Sequence, residues 1–176
     1  MKTIKIIGNF LFLTLFLFLF VGCSVESKEE LVTPLDQNSS TSFEKAKDDN
    51  FTTSLKGRNE VPAVKTKAAG EAIVRISKDR NSIYYKLIVS NLDNVVAAHF
   101  HMAEVGVNGP VVAFLFSGNV AEQNGILSEG VITKAELIGP LAGMSLDELI
   151  QRIQNGRIYV NVHTIEFPSG AIRGQL

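Results

Sequence analysis

The three histidines of the chain are the side chains whose type and spacing suit chemistry best. His99 and His101 flank Phe100 in one strand-like run, and His163 lies in a second run at residues 159–164. Residues two apart on a strand point to the same face, so the first two imidazoles share a face. Three neutral imidazoles suit Zn(II) or Cu(II), so neighbouring strands would give a metal site made of His99, His101 and His163.

The same pattern is also typical of a polar cluster that only stabilises a fold. In that alternative the histidines bond to Asn161, Thr164 and backbone carbonyls, and no ion is needed. Glu60 and Glu104 are the carboxylates that the sequence offers as a fourth ligand. Convergence of the three ring nitrogens on a common point keeps the metal interpretation, and a His163 on the opposite face from His99 and His101 excludes it.

Composition and charge exclude several classes of function. The chain has 17 Lys+Arg against 18 Asp+Glu, a net charge of −1, and no basic run interleaved with aromatic residues, so no nucleic-acid partner is expected. A single Cys forms no internal disulfide and supplies no Cys-rich zinc site. No Ser/His/Asp order and no paired carboxylates stand out, so no enzyme activity is expected.

The elements that must position the histidines are short strand-like runs separated by Gly, Asn, Asp and Pro. Their number and spacing predict an all-β fold, an antiparallel sandwich or barrel. The predicted strands are residues 51–56, 71–77, 82–89, 96–103, 111–117, 125–133, 157–164 and 171–176, with a turn at residues 91–94.

One short helix, at about residues 145–155, interrupts the strand pattern. Ser145 and Glu148 have the spacing of a capping box, and Asn155-Gly156 is typical of a helix end. The apolar residues of this segment recur three to four apart, which predicts a helix packed with one face on the sheet.

The first 22 residues predict an export signal. Lys2 and Lys5 precede an almost wholly apolar run that ends at Gly22-Cys23. An uncleaved membrane anchor is the alternative, but a small residue followed by Cys resembles a bacterial lipobox, so we expect Cys23 to be lipidated. Two or more acyl chains give stable membrane attachment.

Residues 23–50 form an acidic tether in this interpretation. From residue 24 onward it holds seven acidic residues and three lysines with few apolar side chains, which predicts disorder. We therefore expect a membrane-anchored lipoprotein, placed in the outer membrane, with residues 51–176 as its folded domain. The Lys28-Glu29-Glu30 segment leaves display at the cell surface and an inward-facing position as open alternatives.

Several motifs in the folded domain resemble the chordin-type (CHRD) domain, in the form found in bacterial lipoproteins. The resemblance covers residues 51–176 in one copy. The motifs are Asn59-Glu60-Val61-Pro62, Gly70, Ala98-His99-Phe100-His101, Gly106-Val107-Asn108-Gly109-Pro110-Val111-Val112, Gly139-Pro140, Asn155-Gly156, Tyr159-Val160-Asn161-Val162-His163-Thr164 and Pro168-Ser169-Gly170-Ala171-Ile172-Arg173-Gly174-Gln175-Leu176.

The resemblance implies an extracytoplasmic, all-β, immunoglobulin-like domain and brings no catalytic residues. Glu60, Asn161 and Arg173 lie in its motifs, and we expect Glu60 and Arg173 to pair across adjacent strands. Ala171 stands where the family usually has an acidic residue. The function expected first is a binding or structural module of the cell envelope that recognises an envelope or extracellular protein. The alternative is a Zn- or Cu-binding protein.

A more distant resemblance is to copper–zinc superoxide dismutase, a β-barrel that also carries a His-x-His strand and a later histidine. Three histidines are too few for a two-metal centre, and the disulfide cysteines are missing. The dismutase activity is therefore not expected, and only a superoxide-dismutase-like sandwich or barrel carries over.

Overall fold

The computed structural model describes residues 49–176. The predicted signal peptide, Cys23 and nearly all of the acidic tether lie outside the described residues. Asp49 and Asn50 end the predicted tether, and the first strand already starts at Asn50. Within residues 49–176 there is no helix with the length and apolar character needed to cross a membrane.

Six antiparallel strands and one α-helix make up the domain, which confirms the all-β prediction. The strands are β1 (Asn50–Lys56), β2 (Ala69–Ile76), β3 (Ile83–Met102), β4 (Val111–Ile132), β5 (Ile158–Thr164) and β6 (Ile172–Gln175). The helix α1 (Leu146–Gln154) lies between β4 and β5 in the chain, and three single 3-10 turns occupy Gly57–Asn59, Lys134–Glu136 and Gly139–Leu141.

The sheet closes on itself, because β3 pairs with more than two neighbours. The strand order is β2-β1-β6-β5-β3-β4, and an additional β2–β3 pairing completes a ring. The first half of β3 pairs with β2, and its second half pairs with β5. Of the two predicted architectures, sandwich and barrel, the structure is the closed, barrel-like one.

β3 and β4 are each one long strand where the sequence predicts two shorter ones. The expected turn at residues 91–94 is wrong: β3 continues through this segment while β4 stays paired with it. Asn91 and Asn94 adopt positive φ, at 54° and 50°, and the pairing register shifts beside them. Asn tolerates this left-handed conformation, so it bends and twists the strand without ending it.

The core is a single cluster of aliphatic side chains and Phe100 inside the sheet, covered at one point by α1. Leu146, Leu149, Ile150 and Ile153 are the buried face of that helix, as the sequence predicts. Burying each such side chain stabilises the fold by about 1.5–3 kcal/mol. This burial is what holds a nine-residue helix that would be marginal alone.

The predicted capping box of α1 is wrong. The Ser145 side chain makes no capping hydrogen bond, and Glu148 instead pairs with Arg152 one turn later, at 3.4 Å. A capping box does form at Thr133, whose backbone N–H and hydroxyl both donate to the Glu136 carboxylate at 2.7 Å. Thr133 and Glu136 have the same three-residue spacing as Ser145 and Glu148, but they cap a 3-10 turn of only three residues.

Candidate metal centre

The register between β3 and β5 brings the three histidines to one face of the sheet. His99 is paired with Asn161, His101 with Tyr159, and Ala97 with His163. Paired residues of antiparallel strands point to the same side, so His163 lies diagonally across from His99. The neighbouring strands that the metal hypothesis required are therefore present.

The imidazoles converge on one point of this face, and sharing an ion needs a small inward shift of a ring, because two Zn–N bonds span at most about 4.2 Å. One ring nitrogen from each of His99, His101 and His163 lies within 4.8 Å of the others. The Nδ1 of His99 and the Nε2 of His163 are 3.0 Å apart. Zn–N bonds of 2.0–2.1 Å place two ligand nitrogens roughly 3.3 Å apart in a tetrahedral site, so this pair is already at ligand spacing.

Backbone carbonyls fix the tautomers of two of the rings. The Nδ1–H of His101 donates to the carbonyl oxygen of Gly109, and that of His163 donates to the carbonyl oxygen of Pro168, both at 2.9 Å. The proton on Nδ1 leaves Nε2 of each ring with a free lone pair. Metal-ligating histidines commonly have this arrangement, in which the outer nitrogen donates to a carbonyl.

The two free Nε2 atoms differ in their partners. The Nε2 atom of His163 accepts a hydrogen bond from the Nδ1–H of His99. An ion between these two nitrogens would replace this hydrogen bond. The Nε2 atom of His101 is buried and has no hydrogen-bond partner. A buried acceptor without a donor carries a desolvation cost, which a bound cation or a water would remove.

Burial keeps all three imidazoles in the neutral form that binds metals. Burial, together with the neighbouring His163 and His101, lowers the pKa of His99 to about 4. The pKa values of His101 and His163 are also lowered, mainly by burial. At neutral pH no ring has to lose a net proton: His101 and His163 present Nε2 lone pairs, and His99 has only to move its proton from Nδ1 to Nε2.

An aromatic stack lies against one ring of the cluster. The Tyr159 ring lies parallel to the His101 ring, with centroids 4.8 Å apart, and the Arg173 guanidinium lies 3.4 Å from the Tyr159 centroid. Arg173 also donates to the Val107 carbonyl at 2.7 Å and to Asn108 Oδ1 at 3.1 Å. These bonds hold the loop of residues 103–110 that supplies the Gly109 carbonyl.

Glycine is required at position 109 by close packing of this loop. A Cβ there would collide with the carbonyl oxygen of Met102 and with the Ala103 side chain. The Gly109 backbone N–H also donates to the Tyr159 hydroxyl, at 3.2 Å. Both polar groups of Gly109 are thus bonded to aromatic side chains of the site.

The predicted carboxylates are not direct partners of the histidines. Glu104 is exposed and pairs with Arg157 at 3.1 Å. Glu60 is buried, and both of its carboxylate oxygens accept from Asn161 Nδ2, at 3.1 and 3.2 Å. Burial raises the pKa of Glu60 to about 7, although the Asn161 bond and the charge of Arg173 act in the opposite direction.

The expected pairing of Glu60 with Arg173 is also wrong. Within the described part of the chain these two residues form no salt bridge, because Glu60 follows a 3-10 turn and does not lie in a strand. Arg173 is 2% exposed and bonds to the loop that ends at Gly109, while Glu60 bonds to Asn161. The three motif residues therefore belong to two hydrogen-bond networks beside the histidines.

The fold and the site define an all-β domain that carries three histidines on one face of a closed antiparallel sheet. The family model of the CHRD domain matches residues 51–176, so the chain belongs to the CHRD domain family. Membership in this family suggests a non-catalytic binding or structural module. None of the curated proteins and none of the solved structures matches the chain.

Proposed function

We propose that the protein is an exported, lipid-anchored module of the bacterial cell envelope whose CHRD domain binds a transition-metal ion, Zn(II) or copper. His99, His101 and His163 supply the nitrogen ligands. The observation that carries this proposal is the convergence of three neutral imidazoles, two of them oriented by backbone carbonyls.

The unpartnered nitrogen favours an ion over a purely structural cluster. In a cluster that only stabilises the fold, buried ring nitrogens are expected to find hydrogen-bond partners. The His101 Nε2 has none, although its ring stacks on Tyr159 and donates to the Gly109 carbonyl. Three imidazoles without a thiolate or a carboxylate suit Zn(II) and copper better than Mg(II) or Ca(II).

A second candidate function is recognition of an envelope or extracellular protein without a metal. Three exposed apolar side chains near the histidines favour it. Val105 and Val107 are 75% and 52% exposed on the loop held by Arg173, and Phe114 is 54% exposed with its ring edge against His99. Neither candidate includes a catalytic step.

Metal titration of the full-length protein in detergent tests the first candidate. After treatment with a chelator, excess Zn(II) is expected to raise the melting temperature by about 10 °C, because a ligand at 100 Kd stabilises the folded state by about 2.7 kcal/mol. The variant His163→Gln is expected to lose most of this rise. Glu129→Gln, which changes an exposed carboxylate bonded to Lys86, is expected to keep it.

An unchanged melting temperature in Zn(II) and in copper, with no metal retained after gel filtration, would overturn the metal-binding proposal. In that case the apolar surface of Val105, Val107 and Phe114 is left as the feature with which the domain binds.

The lipid anchor rests on the sequence around Cys23 alone. Cys23→Ala is expected to move the protein from the membrane fraction to the soluble fraction and to abolish labelling by a palmitate analogue. Ser24→Ala serves as the matched control and is expected to fractionate like the wild type. Unchanged membrane fractionation of Cys23→Ala would contradict the anchor.

A further inference from the structure

We propose that Asn161 supplies the fourth ligand of the metal site through its side-chain oxygen, and that Glu60 orients it. This inference rests on the proposed metal-binding function and deepens it. It makes the site a three-nitrogen, one-oxygen centre built on strands β3 and β5.

Asn161 occupies the centre of the histidine face. It is the cross-strand partner of His99, and along β5 it lies between Tyr159 and His163, two residues from each. Cross-strand partners have Cβ atoms about 5 Å apart, so the Asn161 amide lies within side-chain reach of the histidine rings. It is also 2% exposed, so solvent does not satisfy its polar atoms.

The hydrogen bonds of Asn161 determine which way its amide points. The Nδ2 group donates to both oxygens of the Glu60 carboxylate and, more weakly, to the Ser169 carbonyl at 3.5 Å. Carboxylate and carbonyl oxygens accept, so the nitrogen of the amide must face them. The oxygen Oδ1 then faces the opposite way.

The strand order indicates what lies on that opposite side. Glu60 follows β1, which pairs with β6, and β5 lies between β6 and β3. The Nδ2 group therefore points toward the β6 side of β5. Oδ1 points toward β3, the strand that carries His99 and His101.

Oδ1 is the second buried acceptor in this cluster without a partner. Neither Asn161 Oδ1 nor His101 Nε2 has a hydrogen-bond donor in the described structure. Two acceptors on one face cannot satisfy each other, since both offer only lone pairs. A cation between them satisfies both at once, and it completes the four ligands that Zn(II) prefers.

Glu60 has the role of a positioning residue in this arrangement. With Gln at position 60, the new amide group can donate to Oδ1, so the Asn161 amide can turn over and withdraw its oxygen from the ion. Gly170 leaves room for the pair, because a Cβ there would collide with Asn161 Nδ2 and with the Glu60 carboxylate.

The oxygen ligand also predicts selectivity between metals. Zn(II) accepts a mixed set of nitrogen and oxygen ligands, whereas the soft monovalent ions Cu(I) and Ag(I) gain little from an amide oxygen. Loss of the Asn161 oxygen is therefore expected to weaken Zn(II) binding and to leave Ag(I) binding on the three imidazoles nearly unchanged.

The test measures Zn(II) and Ag(I) affinities of the full-length protein in detergent, together with the visible spectrum of the Co(II) form. Asn161→Leu, which is close to isosteric, is expected to weaken Zn(II) binding about 10–100-fold and to shift the Co(II) bands. Its Ag(I) affinity is expected to stay within about threefold of the wild type. Glu60→Gln is expected to weaken Zn(II) binding several-fold.

The outcomes distinguish a failure of the Asn161 inference from a failure of the metal-binding proposal. If the wild type binds Zn(II), His163→Gln does not, and Asn161→Leu matches the wild type in affinity and Co(II) spectrum, then Asn161 is not a ligand and the metal function stands. If the wild type binds neither Zn(II) nor copper, both proposals fail, and if it binds copper but not Zn(II), only the Asn161 inference fails. Should Asn161→Leu not fold, Glu60→Gln decides alone: an unchanged Zn(II) affinity overturns the inference.

Discussion

Protonation acts on the histidines and on Glu60 in opposite directions. The three imidazoles have lowered pKa values, with His99 at about 4 against an ordinary value of 6.5. Below pH 6.5 the unfolded chain binds more protons than the folded one, so stability falls as the pH falls toward 4. Glu60 has a pKa of about 7 against 4.5, so its contribution is present below pH 4.5 and is lost as the pH rises through 7.

The two effects overlap, because the histidine contribution is gained up to about pH 6.5 while the Glu60 contribution is lost between pH 4.5 and about 7. The metal-free protein is therefore expected to lose stability below about pH 6.5, by less than the three histidines alone would cause, and to show no further change from these groups above about pH 7. His99 alone accounts for an acid-side loss on the order of 3 kcal/mol. Urea unfolding in the presence of a chelator, from pH 4 to 8.5, measures the profile. Glu60→Gln is expected to remove the opposing effect of Glu60 and so to steepen the loss of stability between pH 7 and 4.5, and identical profiles for the variant and the wild type would contradict the assignment.

The shared face of His99 and His101 is predictable from the sequence, because side chains alternate along any strand. The convergence of His163 is conditional on β3 and β5 being neighbours, and spacing alone does not show that. The carbonyls of Gly109 and Pro168 carry no sequence signal at all, since every residue has a backbone carbonyl. Asn161 was recognisable as a residue of the same face, but its bond to Glu60 joins residues 101 positions apart.

At the scale of elements, the long bent strand β3 is the feature that shapes the domain. Asn91 and Asn94 lie where the pairing of β3 with β2 stops and its pairing with β5 starts, so β3 contributes to two parts of the ring. Asn is typical of turns, and for this reason the sequence predicts a turn at residues 91–94. Continuous pairing with β4 on the other side keeps the segment in the sheet, which is a tertiary effect.

The left-handed conformation of Asn94 gives a matched pair of substitutions. Asn94→Ala is expected to lower the free energy of unfolding by about 1 kcal/mol, since Ala is strained at φ 50°. Asn94→Gly is expected to be near neutral, because Gly adopts positive φ freely. Urea denaturation measures both variants. Equal stability of the two would show that the strand does not need the left-handed residue.

In the helix α1, the sequence spacing predicts the packing of the apolar face but not the capping hydrogen bond. Its apolar face was predictable from the three-to-four spacing, and the structure buries that face. The capping hydrogen bond is not predictable from the spacing, because a side chain at the right position still has to adopt the capping rotamer. Thr133 does so and Ser145 does not, although both precede a Glu by three residues.

At the scale of the molecule, the all-β class follows from strand-length runs and turn residues spread along the whole domain. Ring closure does not follow from them, because it depends on which strand ends meet. The strand order matters for the site, since it places β5 between β3 and β6 and so puts Asn161 beside the histidines and within hydrogen-bond reach of Glu60.

The pairing of β1 with β6 has a consequence for the order of folding events. It joins Lys56 to Arg173, and Asn59 donates to the Arg173 carbonyl, so the ring is sealed by residues more than a hundred positions apart. The β3–β4 hairpin brings together residues much closer in sequence. Loop-closure entropy favours the local hairpin first, and distant strand pairing makes folding slow. We therefore expect the hairpin to form before Arg173, and with it the loop that orients His101, reaches its place.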